Sequence, residues 1–172
     1  MKNAFARHLA PVALVAAFAL PGAQPASAAD GIILPAGTGC EFNLGYSPTG
    51  GKLHTKEFTD ADGNVVRSIT AGKGVVITYT NYGDDPDNPV AGKSVTIRTD
   101  GSVTKTVTSR DGIQTITATG HNGLIMFPSD DPPGPSTVHY IGQLVYTVNP
   151  ETGVFTFVSS TGSQRDICAE LR

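Results

Sequence analysis

The sequence predicts an all-β domain, and three observations support this. Threonine, valine, isoleucine and tyrosine dominate after Cys40, glycine and proline recur about every ten residues, and no segment longer than a turn has a helical apolar period. Only a short turn at residues 167–171 is expected to be helical. The pattern therefore indicates a single antiparallel domain of about eight to ten strands, most of them joined to their neighbours in sequence.

Three hairpins are predicted where two β-rich segments flank a turn signal. Each turn contains a glycine, which adopts a positive φ at no steric cost. Three further strands are short and β-branched or apolar, at residues 75–81, 113–119 and 124–127. The predicted hairpins pair residues 55–59 with 65–71, 94–99 with 102–109, and 138–148 with 154–159.

Residues 1–28 have the three parts of a secretory signal. Lys2 and Arg7 supply positive charge, residues 9–20 are mostly apolar, and Ala26-Ser27-Ala28 supplies the small residues of a cleavage site. The apolar run ends at Pro21-Gly22, short of the roughly 20 residues that a membrane span needs. We expect a secreted, extracellular protein without a membrane span, in which residues 29–39 form a flexible leader and residues 40–172 form one β domain.

The charge of the exported chain narrows the range of partners. Removing residues 1–28 removes two cations and no acids, so ten Lys and Arg remain against fifteen Asp and Glu, and the net charge is 10 − 15 = −5. This charge argues against nucleic acid and anionic membranes as partners. It leaves a small molecule or an extracellular protein as the expected partner.

The two cysteines, Cys40 and Cys168, lie near the two ends of the exported chain. In an exported protein, such a pair predicts a disulfide. Terminal strands that are linked in this way suit a closed or nearly closed antiparallel barrel, because closure brings the first and last strands together and removes exposed edges. A two-sheet β-sandwich is the alternative.

His121 is the most suggestive residue for catalysis. Gly120 and Asn122-Gly123 flank it, which indicates a bulge or turn. With Asp130, Asp131, His139 or Tyr140 it would form an acid/base group, so the candidate catalytic residues are His121, Asp131 and Tyr140. The sequence lacks a Gly-x-Ser-x-Gly elbow and histidines at metal-binding spacing, so a structural role for His121 is favoured.

Two acidic clusters contain carboxylates of the kind that bind calcium, the one cofactor that the sequence suggests. Asp84, Asp85 and Asp87 lie in a long loop that could also supply carbonyl ligands. Asp60, Asp62 and Asn64 resemble part of a calcium loop but lack the glutamate of an EF-hand, so a hairpin turn is favoured there. For the first cluster, a solvated acidic rim is favoured over a metal site.

Four short segments from about Gly74 onward form a recognisable set, and the C-terminal one is the most specific. They are Val76 to Asn81, Gly120-His121-Asn122 leading into Leu124 to Pro128, Pro133 to Pro135, and Asp166 to Leu171. In these segments the chain resembles a group of small exported proteins from high-GC Gram-positive bacteria. The group has no assigned activity, so the resemblance implies export and an all-β domain and nothing about catalysis.

These observations favour a secreted, non-catalytic β domain that binds a small ligand or an extracellular partner. Binding would use either a barrel interior, lined by residues such as Met126, Phe155 and Phe157, or the end that carries the loops 83–92 and 128–136. The first alternative is a small barrel enzyme, similar to an isomerase or cyclase, with His121 as acid/base. The second is a surface or matrix adhesion protein assisted by calcium.

Overall fold

A computed structural model describes residues 31–172 of the chain, which form eleven strands and one short helix. The predicted signal segment, residues 1–28, lies outside the described residues. The expected helical turn at the C-terminus is confirmed as α1. The elements are β1 (Ile32–Leu34), β2 (Leu44–Thr49), β3 (Lys52–Thr59), β4 (Val65–Lys73), β5 (Val76–Asn81), β6 (Ser94–Arg98), β7 (Val103–Thr108), β8 (Gln114–Met126), β9 (Ser136–Val148), β10 (Phe155–Ser160), β11 (Ser163–Asp166) and α1 (Ile167–Glu170).

The strands form two antiparallel sheets. The first, sheet A, has the order β1-β2-β5-β6, and the second, sheet B, has the order β10-β9-β8-β7-β4-β3, with β11 also paired to β9. The predicted all-β class is confirmed. The closed barrel is not found in the described chain, and the alternative two-sheet sandwich fits better. The barrel prediction failed because the disulfide does not link two terminal strands of one sheet but ties sheet A to the end of sheet B.

Sheet B bends along a line of glycines. Gly120 in β8 is the register partner of Gly142 in β9, and both have positive φ values, 87° and 134°. A Cβ atom on Gly120 would lie 2.5 Å from the carbonyl oxygen of Gly101, and one on Gly142 would collide with the carbonyl of Thr161. Neighbouring backbones approach here more closely than any side chain allows, so the bend requires glycine.

Two of the crossings that the chain makes between the two sheets lie side by side. β4 lies in sheet B and β5 in sheet A, while β6 lies in sheet A and β7 in sheet B. Gly74 packs against the backbone of Thr99, and Val75 and Thr99 exchange hydrogen bonds where the two crossings meet. The hairpin predicted for residues 94–109 is therefore wrong, because Asp100-Gly101 carries the chain from one sheet to the other.

The other two hairpins are confirmed, as β3–β4 and β9–β10. The two strands predicted at residues 113–119 and 124–127 are one strand of 13 residues, β8, which runs through His121 and Asn122-Gly123 without a turn. Its partner β9 is equally long, and thirteen residue pairs join the two strands. This long pairing satisfies the backbone groups that a turn at Asn122-Gly123 would have left to solvent.

Two apolar clusters form the core. One belongs to sheet A and the C-terminus and includes Tyr46, Tyr79 and Ile167, and the other lies on sheet B and includes Ile116, Leu144 and Tyr146. Met126 belongs to the second cluster, and Phe155 and Phe157 pack against it. The residues proposed to line a ligand cavity therefore fill a core.

The Cys40–Cys168 disulfide is present, with Cα atoms 5.5 Å apart. It joins the segment between β1 and β2 to α1. The segment expected as a flexible leader, residues 29–39, contains β1 in its described part, and Ile32 and Leu34 pack against the first core cluster. Among residues 31–172, no helix has the length and apolar character needed to cross a bilayer.

Candidate functional site

Asn43 connects the loops at one end of the molecule. Its side chain is only 2% exposed; Oδ1 accepts a hydrogen bond from the backbone N–H of Ala36, and Nδ2 donates one to the carbonyl of Asp85, both at 2.9 Å. Its backbone N–H donates to the carbonyl of Gly83, and its carbonyl accepts from Tyr82. A buried amide with its donor and acceptor both used fixes its neighbours firmly, so residues 35–43 and the loop 83–92 are held as one unit.

A groove lies between the two segments that Asn43 holds. It has a volume of about 190 Å³. Its lining is mostly apolar, and three prolines limit the motion of its walls. The lining residues are Ile33, Pro35, Asn43, Pro86 and Pro89.

The second long loop, residues 128–136, is anchored on sheet B. Gly39, in the segment that contributes a wall of the groove, accepts a hydrogen bond from the hydroxyl of Thr137 at the start of β9. The loop itself is anchored by Asp130, which is 5% exposed and accepts from the backbone N–H groups of Phe127 and Phe155. The loop at residues 83–92 is thus fixed through Asn43, whereas the loop at residues 128–136 is fixed through its bonds to β10.

The structure brings His121 against His139. His121 Nδ1 and His139 Nε2 are 3.3 Å apart, and the ring centroids are separated by 5.6 Å. The two side chains meet because β8 and β9 pair in register, with His139 opposite Gly123 and His121 opposite Ile141. Because Gly123 has no side chain, the hydroxyl of Tyr79 from sheet A fits against it.

His139 is held in its neutral form. Its side chain is 1% exposed, and its Nδ1 atom has no hydrogen-bond partner within the described chain. Burial, and then the nearby His121 and Arg165, lower the pKa of His139 to about 4. A neutral ring that donates from Nε2 to His121 leaves Nδ1 as a bare acceptor, whereas protonation would bury an unpaired N–H, which costs more.

The other candidate catalytic residues do not join this pair. Tyr140 pairs with Asn122 and so points to the opposite face of the sheet from His139, and it stacks on Phe157 at a centroid distance of 6.1 Å. Burial raises the pKa of Tyr140, so the phenol stays protonated. Asp131 is exposed, and its backbone bonds to β10 at Phe155 and Phe157.

The acidic residues proposed for calcium lie on the rim of the groove. Asp84, Asp85 and Asp87 are all exposed, and Asp85 uses one carboxylate oxygen to accept from the backbone N–H of Asp87. Over residues 31–172, no three His, Cys, Asp or Glu side chains come together as metal ligands would. At the β3–β4 turn, the Asp60 carboxylate accepts bonds from Asp62 and Asn64, as in a polar hairpin turn.

Sequence reasoning missed Asn43, the residue that builds the groove. A signal was present, since an amide between Phe42 and Leu44 at the start of a strand is expected to be buried and must then find partners. The identity of those partners depends on a contact 42 residues away along the chain.

Comparison of the chain with protein-family models, with curated proteins and with solved structures finds no match.

Proposed function

We propose that the chain is an exported, non-catalytic binding domain that recognises an extracellular protein through the groove at its loop end. The observation that carries this proposal is the construction of the groove, in which the buried Asn43 bonds to both walls. A site whose walls are fixed in advance loses little conformational entropy when it binds. No lining residue is an acid, a base or a nucleophile, which favours binding over catalysis at this place.

The size of the groove favours part of a macromolecule over a free small molecule. Its volume of about 190 Å³ lies below the ~300–1,000 Å³ that is typical of small-molecule sites. One large apolar side chain of a partner would fill it. The groove would then act as the pocket for an anchor residue, surrounded by weaker contacts from the loops.

Charge at the rim favours a basic sequence around that anchor. Asp84, Asp85 and Asp87 are exposed next to Pro86 and Pro89. Cations on the partner would be attracted to these carboxylates and would add specificity and speed of association more than affinity. We therefore propose a partner segment with an apolar or aromatic residue flanked by Lys or Arg.

The experiment is a selection from a random peptide library on the immobilised exported protein, followed by affinity measurements on the peptides obtained. We expect enrichment of sequences with one aromatic or large aliphatic residue next to basic residues. Pro89→Lys places a cation in the groove, where it repels the basic residues of these peptides and takes the place of the apolar anchor, and it should weaken their binding at least tenfold. Pro150→Lys changes an exposed proline in the β9–β10 turn and serves as the matched control.

Two results would count against the proposal. Peptides that bind equally well to the Pro89→Lys and Pro150→Lys variants would show that the groove is not the site. A stoichiometric small molecule that accompanies the native protein in mass spectrometry, and leaves on denaturation, would favour a carrier or an enzyme instead.

A further inference from the structure

The three strands β7, β4 and β3 are neighbours at one edge of sheet B, and one of their faces is strongly basic. We call this surface the basic face, and the register of the strands defines it. It carries five of the ten Lys and Arg residues in positions 29–172, and all five are exposed. They are Lys52, Lys56, Arg67, Lys73 and Lys105.

No acid shares this face. Glu57 points to the opposite side of the sheet, and Asp60, Asp62 and Asp111 lie in the turns at its end. The ion pairs of the described residues, Arg98–Asp100 and Arg165–Glu170, include none of the five cations. A sheet surface with only a structural role gains from opposite charges across strands, and Lys52 opposite Lys73 does the reverse. The arrangement therefore indicates that the balancing charge comes from outside the molecule.

Apolar side chains lie among these cations. Val103 is 41% exposed and Val107 39%, and they flank Lys105 on β7. The Arg67 guanidinium lies 4.0 Å from the centre of the Phe58 ring, which keeps the ring at the surface between cations. Bringing these groups against an apolar medium would remove their apolar surface from water, while the lysine amines reach past them to an anionic layer.

We propose that the basic face docks on an anionic lipid surface. A dissolved polyanion would satisfy the cations but offers nothing to bury Val103 and Val107. An acidic protein would be expected to meet arginine and aromatic residues, whereas four of the five cations are lysines, which are depleted at protein interfaces. Lysines mixed with apolar side chains on one face are the pattern of interfacial membrane binding. The net charge of −5 argued against such a partner, but charge is segregated, and the face that docks is positive.

This surface is separate from the proline-lined groove, so the two proposals stand independently. The test is sedimentation of the exported protein with vesicles of phosphatidylcholine mixed with phosphatidylglycerol, and with vesicles of phosphatidylcholine alone. We expect binding to the first and little to the second. Binding to the anionic vesicles should be largely lost at about 1 M salt, where the Debye length is about 3 Å.

Two sets of variants locate the surface. Lys56→Gln with Lys105→Gln should lower the affinity for anionic vesicles about 25-fold, because each cation near such a surface is worth about fivefold. Lys93→Gln with Arg172→Gln removes the same charge away from the basic face and should cost much less. Val103→Ser with Val107→Ser should weaken vesicle binding while leaving retention on a heparin column unchanged.

Three outcomes would overturn the proposal, provided that the variants melt as the parent protein does. Equal binding to neutral and anionic vesicles would remove the role of charge. An equal loss in the two lysine and arginine double variants would show that the face is not the site. If the valine substitutions change neither vesicle binding nor heparin retention, the apolar side chains have no role, and the surface would be assigned to soluble polyanions.

Discussion

The burial of one residue, His139, makes the stability of the domain depend on pH. The folded state holds the pKa of His139 at about 4, below the 6.5 of an unfolded histidine, so the unfolded state binds more protons between these values. The contribution of His139 to stability is therefore fully present above about pH 6.5 and is lost as the pH falls towards 4. From pH 7 to pH 5 the loss should be about 2 kcal/mol in the free energy of unfolding, measured by denaturant titration.

The control for this prediction is a pair of substitutions. His139→Gln removes the titrating group, so the variant should show a much flatter pH dependence between 7 and 5 even if its stability is lower at every pH. His54→Gln removes an exposed histidine and should keep the slope of the parent protein. An unchanged slope in the His139 variant would contradict the assignment. The carboxylates whose pKa values are lowered, Asp60, Asp111 and Glu170, lose their contribution at lower pH.

The sequence identified His121 and included His139 among its possible partners, while Asp131 and Tyr140 stay apart from it. Composition could not choose among the four possible partners. The choice between His139 and Tyr140 depends on which face of β9 each side chain occupies, and Asp130 and Asp131 are held by the loop that precedes β9. A shift of one residue in the register of β8 and β9 would have brought Tyr140, and not His139, to the face of His121. Turn signals did not fix that register, since Asn122-Gly123 continues the strand.

Among the strands, the bend in sheet B should depend on Gly120 for steric reasons. Gly120 and Gly63 share a φ of 87°, but a Cβ on Gly63 would have no neighbour within 4 Å, whereas one on Gly120 would meet the backbone of Gly101. Gly63→Ala should cost about 1 kcal/mol for its backbone conformation alone. Gly120→Ala should cost about 3 kcal/mol or more, because backbone atoms must move. Similar losses in the two variants, measured by chemical denaturation, would mean that the bend accommodates a side chain.

Strand positions were largely predictable, whereas assignment to sheets was not. β-branched segments separated by glycine and proline located eight of the eleven strands of the described chain, whereas β1, β2 and β11 were not predicted. The same signal, Asp-Gly, stands at a turn in many hairpins but here carries the chain from β6 in sheet A to β7 in sheet B. The difference arises from contacts of Thr99 with Val75, which are 24 residues apart in sequence. Local propensity does not encode such contacts.

The disulfide closes a loop with a sequence separation of 128 residues and links sheet A to the helix that follows sheet B. In the chain-entropy model, such a crosslink stabilises the fold by about 4–5 kcal/mol, so reduction should lower Tm by about 10–20 °C. Cys40→Ser and Cys168→Ser should show the same loss, because either one opens the same loop, and added reductant should not lower their Tm further. Calorimetry with and without reductant measures this. A parent protein whose Tm is unaffected by complete reduction, verified by thiol titration, would show that contacts such as Thr137 with Gly39 hold the two sheets together without the crosslink.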